Sequence, residues 1–323
     1  MTTRASAAPR TSLASDEARD ARAGVILGVA AYTLWGLIPL YFRLLRSIPS
    51  LEVLAHRAWW AFVTLAVIIV AMRRGAAVMA ALSKPRTALT LAGSTVLIAI
   101  NWFVYIYAVS TEQIVQASLG YFITPLANMA IGLVVLGERL RKLQTAALLP
   151  AVIGVVVLAV QAGQVPWIAL ILAISFSLYG LLRKIAAADA LVGLFTETMF
   201  LTPLALGYLA VLGVEERNTF SSAAPDLSLL LALAGPVTTG PLLCFAGAAR
   251  RLRMTTLGFL QFLAPTLQFL VAVFLFDEPF TAAQRTAFPL IWLAVGLYLV
   301  DAVRAARSRT RQSELAAMPL EDV

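Results

Sequence analysis

The residues Pro125-Leu126-Ala127-Asn128, continuing to Gly137-Glu138-Arg139-Leu140 and then Gln144, return 140 residues later. The second copy reads Pro265-Thr266-Leu267-Gln268, continuing to Asp277-Glu278-Pro279-Phe280 and then Gln284. Proline, amide, glutamate and glutamine each meet their counterpart at that single offset. Just upstream, Leu119-Gly120-Tyr121 is echoed by Leu257-Gly258-Phe259, with a slip of two residues. Two copies of one unit, if they lie in lipid, are a common plan of a carrier whose site sits between them.

Composition puts the copies in lipid. The 323 residues are 60% hydrophobic and 13% charged, with a mean hydropathy of +0.86. Soluble domains average about 45–50% apolar and about 25% charged residues. A spanning helix needs roughly 20 mostly apolar residues. Ten such stretches lie near 23–45, 51–72, 87–108, 113–136, 143–161, 165–184, 191–212, 228–248, 255–276 and 283–303. The fold expected is an all-α membrane protein of ten transmembrane helices, arranged as two inverted five-helix repeats. Residues 1–22, rich in Ala, Ser, Thr and Arg, read as a disordered tail. The repeats are expected over 23–162 and 163–305, with a second tail over 306–323. The first span is too long, and too poor in a small-residue cleavage motif, for a secretory signal. With Cys244 as the one cysteine, no disulfide can form within the chain.

The net charge of +8 is a topology signal. With the N-terminus inside, twenty of the 25 Lys and Arg residues fall in inner segments. The exceptions are Arg43, Arg46, Arg57, Arg217 and Arg285. Such bias is the positive-inside pattern, with contact to anionic lipid a further use of the charge. The loops are too short for a nucleic-acid reading module. Five spans are an odd number, so the second set must enter from the opposite side. Glu138 is then expected inside and Glu278 outside, both structural at helix ends. Inverted copies of this kind permit alternating access.

Several segments carry a family resemblance. These are Ala30-Ala31-Tyr32-Thr33-Leu34-Trp35-Gly36 with Pro39 and Tyr41-Phe42, His56-Arg57, Asn101-Trp102, Ala117-Ser118-Leu119-Gly120-Tyr121-Phe122, Glu197-Thr198-Met199 and Pro241-Leu242-Leu243-Cys244-Phe245. In this order and spacing the chain resembles the RarD branch of the EamA-type drug/metabolite transporters over about 23–305. The resemblance implies ten spans, both termini in the cytoplasm, and a plasma-membrane transporter. RarD proteins carry a label of chloramphenicol sensitivity.

Ionisable groups inside a bilayer are costly, about 2.5–3.5 kcal/mol on insertion scales, so each is a functional candidate. His56 and Arg57 lie one to two turns into the second span, and Glu197 lies at similar depth in the seventh. Glu197 is expected to face the cavity, where it could neutralise Arg57 or exchange protons with His56. The bland alternative has Arg57 snorkelling and Glu197 at an aqueous edge. In the third span Asn101 and Tyr105, four apart, share a helix face, with Trp102 beside them. Ser118 and Tyr121 in the fourth span and Gln261 in the ninth complete the expected substrate cavity. Pro125 and Pro265 are expected to break spans four and nine at equivalent places, and Pro236 and Pro241 to distort the eighth. Thr238 and Thr239 are expected to satisfy carbonyls freed there. Trp35-Gly36 and Tyr179-Gly180 read as packing contacts.

One His and one Cys cannot make a zinc site of the usual kind. No G-x-x-x-x-G-K-[ST], H-E-x-x-H or G-x-S-x-G occurs. No catalytic residue, metal or cofactor is expected. The function expected is secondary transport of a small organic solute, outward, driven by protons, another ion or exchange, in a monomer or homodimer. The rivals are a membrane-embedded enzyme or lipid-handling protein, favoured by a paired reactive carboxylate or His, and a non-transporting assembly partner, favoured by apolar faces without a polar cavity.

Overall fold

The structure, a computed structural model, describes residues 10–111, 113–161, 166–221, 223–277 and 281–317. The described residues form twelve helices and no strand. They are α1 (Arg10–Leu44), α2 (Ser50–Ala71), α3 (Gly75–Leu82), α4 (Pro85–Ser110), α5 (Ile114–Val134) and α6 (Lys142–Gln161). The second half holds α7 (Trp167–Ile185), α8 (Ala190–Val214), α9 (Pro225–Arg251), α10 (Met254–Gln261), α11 (Leu263–Leu275) and α12 (Ala282–Ala317). Ten stretches are long and apolar enough to span a bilayer, and each coincides with one expected from the sequence. α3 is a short addition between spans two and three. α10 and α11 together make span nine.

Of the expected tail over 1–22, residues 1–9 lie outside the described residues and residues 10–22 continue α1. α1 is helical from Arg10. Ala, Arg and Glu in this stretch are good helix formers, and they extend a helix whose costly nucleus the span already supplies. Asp20 is held by Arg251 Nε at 2.9 Å.

The helix pairings exchange onto one another when spans one to five are swapped with six to ten. α1 packs on α9, as α7 packs on α4. α5 packs on α7, as α10 and α11 pack on α1. α2 packs on α9, as α8 packs on α4. The pairs α2–α8, α5–α10 and α6–α12 join a helix to its own counterpart. The core around Tyr32, Leu65, Tyr179, Phe245 and Met254 lies between the halves, whereas α6 and α12 pack at the periphery around Ala147, Ala151 and Ile291. Outward faces carry exposed apolar side chains such as Val67, Val70, Leu89, Leu204 and Leu293, which suits a hydrocarbon surround.

Glycine sets the closest approaches. A Cβ on Gly258 would lie 2.5 Å from the carbonyl oxygen of Pro125, so α10 can meet α5 only without a side chain there. Gly235 faces the carbonyl of Trp60 in the same way, and α9 thereby seats against α2.

The repeated Gln144 and Gln284 perform the same local task. Gln144 Oε1 accepts from the Arg141 N–H at 3.0 Å, and Gln284 Oε1 accepts from the Thr281 N–H at 2.9 Å. Each satisfies a donor at the start of the last helix of its half. Glu138 does something different. Its Oε1 accepts from Met254 N–H at 2.8 Å, and its Oε2 accepts from Thr255 N–H at 3.0 Å and Thr255 Oγ1 at 2.7 Å. A carboxylate from the first half thus caps α10 of the second, where the helix N-terminus favours negative charge. Glu278 lies outside the described residues.

Candidate substrate cavity

Faces of eight helices converge between the halves. On α4, Ile98, Asn101, Trp102 and Tyr105 stand at i, i+3, i+4 and i+7, so they form one stripe. Ala117, Gly120, Tyr121 and Thr124 repeat the spacing on α5. α1 adds Tyr32, Trp35, Ile38 and Phe42, α7 adds Leu172 and Phe176, and α9 adds Thr238 and Leu242. α2 brings Arg57, α10 brings Gln261, and α11 brings Ala264, Pro265 and Gln268. Together they enclose a cavity of about 130 Å³. It continues into a mouth of about 290 Å³ that shares Phe42, Arg57, Trp102 and Tyr105 and adds Arg46, Ile48, Ser50 and Val109. Ile48 lies in the α1–α2 connection and Ser50 begins α2, so the cavity opens toward that end of the bundle.

Of the residues expected from the sequence, Arg57, Asn101, Trp102, Tyr105, Tyr121 and Gln261 line this cavity, and His56, Ser118 and Glu197 do not. Helix phase explains the first two departures. Ser118 is one residue off the α5 stripe, and its side is exposed on the outside of the bundle. His56 is one residue off Arg57, about 100° around α2. It is buried, stacked on Phe220 with ring centres 5.3 Å apart, and 4.0 Å from Glu52. Glu52 itself accepts from Thr219 N–H at 2.6 Å and Thr219 Oγ1 at 2.9 Å.

Glu197 has a different partner from the one the sequence suggested. Arg183 Nη1 lies 3.4 Å from its Oε1, Ser94 Oγ donates to Oε1 at 2.5 Å, and Tyr179 OH donates to Oε2 at 3.2 Å. Arg183 Nη2 also donates to the carbonyls of Asp189 at 3.3 Å and Ala190 at 3.1 Å. Both charged side chains are sealed from solvent. Gly193 makes room for the guanidinium, which any Cβ at that position would overlap. In sequence Arg183 is simply one of the twenty basic residues of the inner segments. Its one signal was the offset of 140 from Arg43.

Arg57 has no such complement. Its Nε donates to Thr238 Oγ1 at 3.1 Å. Its guanidinium carbon lies 5.1 Å from the ring centre of Phe42 and 5.2 Å from that of Trp102. Among the described residues no carboxylate forms an ion pair with it. Thr238 therefore serves the arginine, which corrects its expected role at freed helix carbonyls; Thr239 Oγ1 reaches the carbonyl of Pro236 at 3.4 Å.

The prolines act unequally. Pro265 lines the cavity just past Phe262, where helical hydrogen bonding lapses between α10 and α11 although Phe262 keeps helical dihedrals (φ −62°, ψ −14°). α5 runs unbroken through Pro125, and α9 through Pro236 and Pro241. Matching breaks were expected, and the two halves differ instead: helical bonding lapses near Pro265 and not at Pro125, because a proline removes one helix bond without forcing a stop where packing supports the helix. Polar side chains brace the divided region. Asn128 Nδ2 donates to Gln261 Oε1 at 2.5 Å, and Gln268 Nε2 donates to the carbonyl of Trp35 at 3.1 Å. Asn101 Nδ2 donates to the Leu172 carbonyl at 2.9 Å and to Ser175 Oγ at 3.0 Å, tying α4 to α7 at the cavity wall.

Comparison with known proteins accords with this architecture. Residues 22–160 match the EamA-like transporter family. A Vibrio cholerae protein described as an uncharacterized transporter is 44% identical over 293 residues, covering 91% of this chain and 97% of that one. Protein RarD of Escherichia coli K12 is 41% identical over 295 residues, covering 91% of this chain and all of RarD. A solved crystal structure with 21% identity superposes with a TM-score of 0.65, covering 87% of this chain and 98% of that one, and shares the fold. With ten spanning helices around a central cavity and this similarity along nearly its whole length, the chain belongs to the RarD family of EamA-like transporters and is a multi-pass membrane transporter of small solutes.

Proposed function

We propose that the protein is a secondary carrier that works by alternating access, through the exchange of roles between two inverted halves. One observation carries this reading. Arg57 stands seven residues past the start of α2, and Glu197 seven past the start of α8, 140 positions apart. Around Arg57 the bundle is open, and around Glu197 it is sealed. Inverted repeats move by giving each half, in turn, the other's arrangement. The arrangement described here is then the one open at the α1–α2 face, with the Arg183–Glu197 pair closing the opposite face.

The charges support one reading of those faces. Arg251 meets Asp20, Arg74 meets Asp189, Arg253 meets Glu138, and Arg141 meets Asp301. Lys184 and Arg250 donate across the α7–α9 ends to Leu252 and Ala188 carbonyls. This basic face lies at the other ends of the spans from the mouth, and the positive-inside pattern supports reading it as cytoplasmic. The reading thus has both termini in the cytoplasm, the protein in the plasma (inner) membrane, and the cavity open outward. Net movement is outward, driven by a proton or other ion gradient or by exchange.

The test is counterflow in proteoliposomes with a panel of amino acids, nucleosides and aromatic acids and amines. Saturable counterflow of a panel member is expected. Absence of counterflow for every one, with protein shown folded, would remove the carrier reading. Loading the same vesicles on one side reads the direction.

A further inference from the structure

We propose that the solute is a small organic monoanion with an aromatic or apolar body, whose carboxylate supplies the counter-charge that Arg57 lacks. The inference rests on the carrier reading and names the cargo of the same cavity.

Among the described residues two arginines lie within the spans and inside the bundle, and their surroundings contrast. Arg183 has a carboxylate and two backbone carbonyls. Arg57 has one hydroxyl and two aromatic faces. A guanidinium has five N–H donors. The Phe42 and Trp102 rings lie against it and Thr238 takes Nε, while neither Nη group donates to a described residue. That leaves the planar fork that pairs with a carboxylate through two parallel hydrogen bonds. An unpaired charge in a low-dielectric interior is expensive, so such a site favours a ligand that brings the opposite charge.

The rest of the passage has the same sign. Among the described residues, neither cavity nor mouth is lined by any Asp or Glu, and the mouth adds Arg46. A passage of one sign draws in counter-ions and repels ammonium groups. One arginine in the inner cavity matches one negative charge. The body of the solute meets Trp35, Trp102, Tyr105, Tyr121 and Phe176, a wall that suits rings and apolar chains. Among the described lining residues nothing acidic awaits a positive group on the solute.

The experiment measures binding by purified full-length protein in nanodiscs. The probes are benzoate, 3-phenylpropanoate and indole-3-acetate, each beside its amide and the corresponding amine. At least one carboxylate is expected to bind, and its amide and amine to bind at least about 10-fold more weakly. Arg57→Gln is expected to lose that preference, and Arg57→Lys to keep part of it, since a point charge replaces a fork. The ligand comparison on the unaltered protein stands even if a variant fails to fold. Amides or amines binding as tightly as the acids, or no acid binding, would overturn the inference. So would an unchanged preference in folded Arg57→Gln. Counterflow of neutral or cationic solutes alone would overturn it while leaving the carrier reading intact. Acid binding without counterflow of any solute would overturn the carrier reading instead.

Discussion

Arg57 and Glu197 stand at matching places in the two halves of the chain, each seven residues past the start of its helix, and they do not meet. Arg57 faces the cavity beside Phe42, Trp102 and Thr238. Glu197 is closed in with Arg183, Ser94 and Tyr179. The position that is open in one half is a sealed ion pair in the other.

Breaking the buried pair leaves a charge without compensation. Glu197→Gln strands the Arg183 guanidinium, and the expected cost is about 3–5 kcal/mol. The double variant Arg183→Met/Glu197→Leu, which removes both charges, is expected to recover much of it. Thermal unfolding in detergent compares them. A single variant as stable as the unaltered protein would contradict the assignment of this pair as a closure.

The close approach of α10 to α5 depends on Gly258. Adding a methyl group there drives a Cβ against the Pro125 carbonyl, as it would at Gly235 against Trp60. Gly258→Ala is expected to destabilise by about 1–3 kcal/mol, the usual penalty for overpacking. Gly213, with nothing near its would-be Cβ, is the control site. Equal melting temperatures for the alanine variants at 258 and 213 would count against the packing described.

Glu138 links the halves through the first turn of α10. Glu138→Ala removes an acceptor for two backbone N–H groups and one hydroxyl, and should lower stability by about 1–2 kcal/mol. Glu138→Gln keeps an acceptor and should lose less. Hydrogen exchange at Met254 and Thr255 reads the effect locally: their amides should exchange faster in the alanine variant.

His56 sits outside the cavity, stacked on Phe220 and near Glu52. His56→Gln is expected to reduce stability modestly and to leave the dependence of transport on a pH gradient unchanged. The measurement is uptake with and without the gradient. If the variant transports but no longer responds to the gradient, His56 is the coupling group after all.

The spans were legible because hydropathy is local. Each of the ten stretches announces itself by composition alone, and the match of Gln144 to Gln284 by its constant offset of 140, whereas their shared capping role came only with the hydrogen bonds. The α4 stripe was legible too, since Asn101 and Tyr105 share a face by spacing. What sequence reading missed was phase and partnership. Ser118 and His56 sit one residue from true lining positions, a difference of about 100° that decides between cavity, core and lipid. Arg183 was hidden by its place near a span's end, where a basic residue is ordinary. Thr238 was assigned to its own helix because its partner, Arg57, is 181 residues away.

Composition and periodicity by themselves determined a ten-span membrane protein with a repeated half and a basic face. Those properties follow from the transfer of each segment into hydrocarbon, which depends on little beyond the segment itself. Tertiary structure alone decided which stripe of each helix faces inward, that Glu197 pairs with Arg183, and that the cavity around Arg57 opens on one face. These are set by long-range packing. The carbonyls of Pro125 and Trp60 meet Gly258 and Gly235 from distant parts of the chain, and those contacts fix the rotation of each helix about its axis.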